Sequence, residues 1–121
     1  MYEQIIWSNM YKKTLMIDLD GVLNNYTKYE ENFIPDIKEG AEEFLEKLYK
    51  SGKYELVLFT TRNKELSQKW LKKWGIDRYF KEVTSIKKPA YIYIDDRALK
   101  FENDFEKTFD DIENFTVYWK K

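Results

Sequence analysis

The chain has neither cysteine nor histidine. Without cysteine there is no disulfide framework and no thiolate metal site, a composition that fits a reducing cytosol. Without histidine, zinc chemistry is not expected, and every general acid or base has to be a carboxylate, a lysine or a tyrosine. An excess of one charge is also missing: 21 Lys and Arg face 22 Asp and Glu, for a net charge of -1. That balance offers no broad basic field to nucleic acid or to a membrane surface. Aliphatic runs fall far short of the ~18 residues that span a bilayer, and the start Met1-Tyr-Glu-Gln lacks the basic residues of a signal peptide. A cytoplasmic protein is expected, with neither a membrane nor nucleic acid as partner. No repeat, low-complexity tract or linker interrupts the 121 residues. They read as a single domain (1–121) able to bury roughly two-thirds of its unfolded surface.

What is present begins at Thr14. Leu15, Met16 and Ile17 form an apolar run closed by Asp18-Leu19-Asp20-Gly21, and near-continuous apolarity is the mark of a strand covered on both faces. Carboxylates just past such a strand add little to stability and are well placed for chemistry, because ligands of open α/β sheets bind at the carboxyl ends of strands. Pro35-Asp36 predicts a helix start, with Asp36 as N-cap and Glu39 three residues on. Ile37, Ala41, Phe44, Leu45 and Leu48 follow at helical spacing until Ser51-Gly52.

Residues 54–59 predict a second buried strand running into Thr60-Thr61-Arg62, and a helix over 64–74 then stops at Gly75. Residues 79–83 read as a weaker strand, and 90–94 as a strong one entering Asp95-Asp96-Arg97. Phe101, Phe105, Phe109 and Ile112 predict a closing helix, capped at Asp104 or Thr108, and 116–119 a short terminal strand. Residues 1–13 are an accessory segment, 14–100 the motif-bearing core, and 101–121 the closing helix and strand. Strands alternating with helices imply right-handed crossovers, a mainly parallel sheet and helices on both faces. The polar clusters at 18–20, 60–62 and 95–96 then gather on one edge.

Four converging carboxylates without a histidine need a cation. Like charges ~4 Å apart repel by about 4 kcal/mol at an effective dielectric near 20. All-oxygen ligation favours Mg²⁺, which uses one or two carboxylates, waters and substrate phosphate. A carboxylate there can attack phosphorus, a second one two residues on can exchange a proton with the leaving oxygen, and a hydroxyl with an ammonium can hold the non-bridging oxygens. Thr60 and Lys88 suit the last two tasks.

Asp18-Leu-Asp20-Gly-Val, Thr60, the lysines before the last strand and Asp95-Asp96, in that order, resemble the four motifs of the haloacid dehalogenase (HAD) superfamily of Mg²⁺-dependent phosphohydrolases, over about residues 14–100. The resemblance implies a three-layer α/β/α Rossmann-like fold and a phosphomonoester phosphatase working through an aspartyl phosphate. Asp18 would be nucleophile and metal ligand. Asp20 would be acid/base and lend its carbonyl to the metal. Thr60, with Thr61 as the alternative, would bind the phosphoryl group. Lys88, with Lys87 competing on nearly equal terms, would stabilise that group and the nucleophile. Asp96 would ligate the metal, and Asp95 would be a ligand or an outer partner.

Neither Gly21–Pro35 nor Thr61–Lys87 is long enough for a cap domain, so a capless, open site is expected, closed by a flap near 24–33, a neighbouring subunit or a large substrate. In that flap Tyr26, Tyr29 and Phe33 lie next to the site, and Glu30-Glu31 would disfavour a polyanionic substrate if they faced it. Arg62 and Arg97 read as paired or solvated, and Trp70, Trp74, Trp119 and the phenylalanine series as packing. Two rival readings stand beside the phosphatase: a non-catalytic HAD-fold binding or assembly module, and phosphotransfer to an acceptor other than water. The phosphorylated substrate, small molecule or macromolecule, and a homo-oligomer are left open.

Overall fold

The computed structural model describes residues 12–87, 90–95 and 99–114, and the side chains of all of these except Asp95, Leu99 and Lys100. The strands are β1 (Lys13–Asp18), β2 (Tyr54–Phe59), β3 (Phe80–Thr84), β4 (Ile92–Asp95) and β5 (Leu99–Lys100). They form one sheet in the order β3-β2-β1-β4-β5, parallel at every pairing. This is the Rossmann-like α/β fold expected from the sequence, with β1 at its centre.

One face of the sheet carries Leu15, Ile17, Leu56, Leu58, Ile92 and Ile94, all buried in the main hydrophobic cluster. Helices α1 (Ala41–Lys50), α2 (Lys64–Lys73) and α3 (Phe105–Asn114) add to it. Ala41, Phe44, Leu45 and Leu48 come from α1, Trp70 and Leu71 from α2, and Ile112 from α3. The α1 set recurs at helical spacing, so one stripe of that helix meets the core. On the opposite face Met16 and Val57 are equally buried but lie outside that cluster. There the Lys87 ammonium lies 5.7 Å from the Phe59 ring centroid and 5.2 Å from that of Tyr93.

Helix α2 starts where the sequence places it, with the Asn63 side chain accepting the Leu66 N–H at 2.9 Å, and Asp104 caps α3 by accepting from Lys107 N–H at 3.0 Å. Helix α1 is a correction. It begins at Ala41, with Gly40 as N-cap, and Asp36 caps nothing. Residues 36–38 instead run antiparallel to 23–25: Asn25 N–H bonds the Asp36 carbonyl at 3.1 Å and Lys38 N–H that of Leu23 at 2.7 Å. Tertiary pairing outcompetes the local capping signal, and Ile37 is a bridge residue. At Gly40 φ is +89°, and an added Cβ would stand 3.0 Å from the Phe105 ring. Glycine is therefore required where α3 crosses the start of α1.

Strand β5 has two residues and no period to read. The expected terminal strand at 116–119, Trp119, Arg97 and most of the accessory segment 1–13 lie outside the described residues. Trp70 is buried, and Trp74, Phe101, Phe105 and Phe109 pack against the core. No helix among the described residues is long and apolar enough to cross a membrane.

Candidate active site

Asp18 is the last residue of the central strand, in register with Phe59 at the end of β2. The pleat puts it on the face of Met16 and Tyr93, the face over which Lys87 lies. The chain then turns sharply. Asp20 (φ -72°, ψ 125°) and Gly21 (φ 83°, ψ -12°) have the central angles of a type II turn, which requires a positive φ at its second central position. The Asp-Gly pair is thus chosen by backbone geometry, and the carboxylate of Asp20 is presented by a turn rather than by a flexible loop.

Two side chains fix that carboxylate. Asn24, fully buried, accepts the Gly21 N–H on its Oδ1 at 3.1 Å and donates Nδ2 to Asp20 Oδ1 at 2.9 Å. Arg62 donates Nε to Oδ1 at 3.1 Å and to Oδ2 at 2.9 Å. The Arg62 side chain is 3% exposed. Its Nη1 reaches the carbonyls of Glu30 at 3.3 Å and Phe33 at 2.8 Å, and Tyr29 lies 5.2 Å over the guanidinium. One cation therefore ties the acid of the turn to the flap. Nη2 of the same group is buried without a hydrogen-bond partner among the described residues. Trp70 Nε1 adds a bond to the Pro35 carbonyl at 2.9 Å, which holds the base of the flap on α2. Tyr29 and Phe33 stay exposed beside the turn.

Of the two threonines, Thr60 is buried and Thr61 exposed. The Thr60 hydroxyl accepts the Arg62 N–H at 3.1 Å, and its own N–H bonds the Thr84 carbonyl at 3.0 Å. Of the lysines, Lys87 lies against Phe59, the register partner of Asp18. Lys88, Asp96 and the side chain of Asp95 lie outside the described residues. Asp18, Asp20, Thr60 and Lys87 thus share the C-terminal side of the β1–β2 pair. Among the described residues no group of three or more carboxylates could hold a metal ion.

Asn24 and the clamp by Arg62 were not assigned to the site from sequence. Asn24 carried one usable signal, an amide directly after the apolar Val22-Leu23. Arg62, paired or solvated by its sequence setting, is paired; its partner, distant in sequence, comes only with the fold.

A family model described as NLI interacting factor-like phosphatase, a HAD-type phosphatase family, matches residues 13–112. No curated protein matches the chain. A solved structure described as a conserved protein coded by a locus from Bacteroides thetaiotaomicron is 23% identical, covering 90% of this chain and 96% of that one with a TM-score of 0.66. That likeness speaks to the fold.

Proposed function

Since the chain belongs to the NLI interacting factor-like phosphatases, enzymes acting on phosphate esters, we propose that it hydrolyses phosphomonoesters through an aspartyl phosphate on Asp18, with Mg²⁺ in the site. The observation that carries this reading is the fixed Asp20 carboxylate, clamped by Arg62 and Asn24 two residues beyond Asp18. Among the described residues Asp20 Oδ1 takes two of these bonds and Oδ2 one, from the Arg62 Nε.

In the first step an Asp18 carboxylate oxygen bonds to phosphorus as the phosphorus–alkoxide bond breaks, and the leaving oxygen takes its proton from Asp20. In the second step Asp20 takes a proton from water, the water oxygen bonds to phosphorus, and the acyl phosphate opens to phosphate and free Asp18. Thr60 and Lys87 or Lys88 hold the non-bridging oxygens.

The donor set fits Mg²⁺. It is wholly oxygen, and with the Asp20 carboxylate engaged by Arg62 and Asn24 the ligands would be Asp18, the Asp20 carbonyl and Asp96, with Asp95 as ligand or outer partner. Bound there, the cation offsets the charge that Asp18 and the phosphoryl oxygens bring together. The site works without a cap domain, under the flap near residues 24–33. The substrate class, small molecule or macromolecule, follows from what that flap admits.

A panel of phosphomonoesters with and without Mg²⁺ tests this reading. Phosphate release that requires Mg²⁺ supports it. No turnover across the panel turns the reading to a binding module, and product that appears only with added alcohol turns it to phosphotransfer.

A further inference from the structure

Among the described residues five large apolar side chains stay exposed, and three of them, Tyr26, Tyr29 and Phe33, stand on the flap. Of the other two, Tyr49 meets the Tyr79 ring edge-on at 5.3 Å, and Ile86 stands just past the end of β3. A single exposed ring is ordinary, whereas a group of them in one short segment marks a contact surface. Tyr29 and Phe33, 62% and 51% exposed, meet no other ring among the described residues. They are displayed from a fixed turn: Phe33 N–H bonds the Glu30 carbonyl at 3.4 Å, with Asn32 at a φ of 60° between them. Arg62 Nη1 holds both carbonyls of that turn. A ligand arriving there has little order left to impose.

What the turn is tied to identifies the occupant. The guanidinium that holds the turn through Nη1 holds the Asp20 carboxylate through Nε. Asp20 protonates the leaving oxygen, so that oxygen lies within hydrogen-bond reach of Asp20, and the group attached to it starts one guanidinium away from the turn. Asn24 and Arg62 take the buried sides of Asp20, and the leaving group extends outward along the flap. Charge narrows the class further. The flap carries Glu30 and Glu31 against Lys28, and neither glutamate has an ion pair among the described residues. A leaving group with a negative charge of its own would be repelled there.

On the reading that this site cleaves phosphomonoesters, we propose that Tyr29 and Phe33 set its specificity, and that its substrates are phosphomonoesters whose leaving group carries an apolar aromatic ring and no second negative charge. The ring of the leaving group packs against Tyr29 and Phe33 while its oxygen faces Asp20.

Calorimetric titration of the Asp18→Asn protein with Mg²⁺ tests this, using benzyl phosphate, 4-carboxybenzyl phosphate and ethyl phosphate. All three are esters of primary alcohols, so the ring and its charge are what differ. Benzyl phosphate should bind about tenfold tighter than either of the others, the upper end of what an aromatic pair adds. Tyr29→Ala and Phe33→Ala should each reduce the preference and together erase it, while Tyr49→Ala, on α1, should leave it unchanged. Phe33→Ala keeps the carbonyl that Arg62 holds, so it stays informative if Tyr29→Ala disturbs the guanidinium. Equal binding of benzyl and ethyl phosphate, absence of binding included, overturns the proposal. So does a preference that survives the paired substitution, or 4-carboxybenzyl phosphate bound as tightly as benzyl phosphate. Sedimentation of the wild-type and doubly substituted proteins covers the other occupant: a dimer that depends on the two rings assigns them to a second copy and also overturns the proposal. Turnover of p-nitrophenyl phosphate by the wild-type protein, measured in parallel, tests the hydrolysis separately: turnover without the preference removes the role of the rings alone, and the preference without turnover removes hydrolysis and keeps the ring contact.

Discussion

Arg62 grips Asp20 with a single nitrogen, Nε, at 3.1 and 2.9 Å from the two carboxylate oxygens. The rest of the guanidinium is thereby free to hold the flap carbonyls of Glu30 and Phe33. A lysine ammonium is a point charge and cannot reach both sets. Arg62→Lys should lower kcat on p-nitrophenyl phosphate about 100-fold, or ~2.7 kcal/mol, with a smaller change in KM. Arg62→Met should also lower stability, by about 2 kcal/mol. That is less than a fully buried pair would cost when broken, because the Asp20 side chain is 24% exposed. Steady-state kinetics and thermal unfolding read the two effects.

Asn24 stands at 0% exposure with its amide spent on Gly21 and Asp20. Asn24→Ala leaves the Gly21 N–H without its acceptor and should cost about 1–3 kcal/mol of stability. Asn24→Asp keeps the shape but sets a carboxylate against Asp20, a repulsion of about 4 kcal/mol at this range. The aspartate variant should therefore be the less active of the two, although it is the closer isostere. Comparing their kcat values at pH 7 checks this order.

Gly21 meets nothing within 4 Å of where a Cβ would be, while its φ is +83°. Gly21→Ala is thus a test of backbone conformation without a steric clash. It should cost about 1–2 kcal/mol, read as a fall in Tm of about 4–8 °C per kcal/mol, with kcat reduced less than in Arg62→Lys.

A pH dependence is built far from the site. Lys53 bonds Glu113 at 2.8 Å, and Tyr54 donates its hydroxyl to the same carboxylate. The Lys53 bond first, then that of Tyr54, holds Glu113 below its ordinary 4.5, and burial first, then Glu113, pushes Tyr54 upward. A lowered carboxylate stabilises the fold above its unfolded value and loses that contribution as pH falls through the folded one. The tyrosine contribution is complete below its ordinary 10 and is lost in strong alkali. Glu113→Gln should therefore melt earlier than wild type at pH 7, by about 1 kcal/mol. The gap should close below pH 4.5, where the carboxylate takes up its proton.

The parts of the fold legible in the sequence were those with a period or a punctuation mark. Strands β1 and β2 stood out by their apolar runs and α2 by its stripe and Gly75, while the Asp20-Gly21 pair announced a turn. The start of α1 misled because Ile37 fits a helical stripe while its backbone is claimed by Asn24 and Asn25. Strand β5 is too short to show alternation. At the site, strand-end position pointed to Asp18, Asp20 and Thr60. The clamp made by Arg62 and Asn24 was not legible, because 42 residues separate Arg62 from Asp20 and only the parallel pairing of β1 with β2 brings them together.

The most direct test is release of phosphate from p-nitrophenyl phosphate, with Mg²⁺, by the wild-type and Asp18→Asn proteins, both confirmed as folded. Release by the wild type and none by Asp18→Asn is the expected result. Comparable release by Asp18→Asn would remove Asp18 as the nucleophile and with it the aspartyl phosphate.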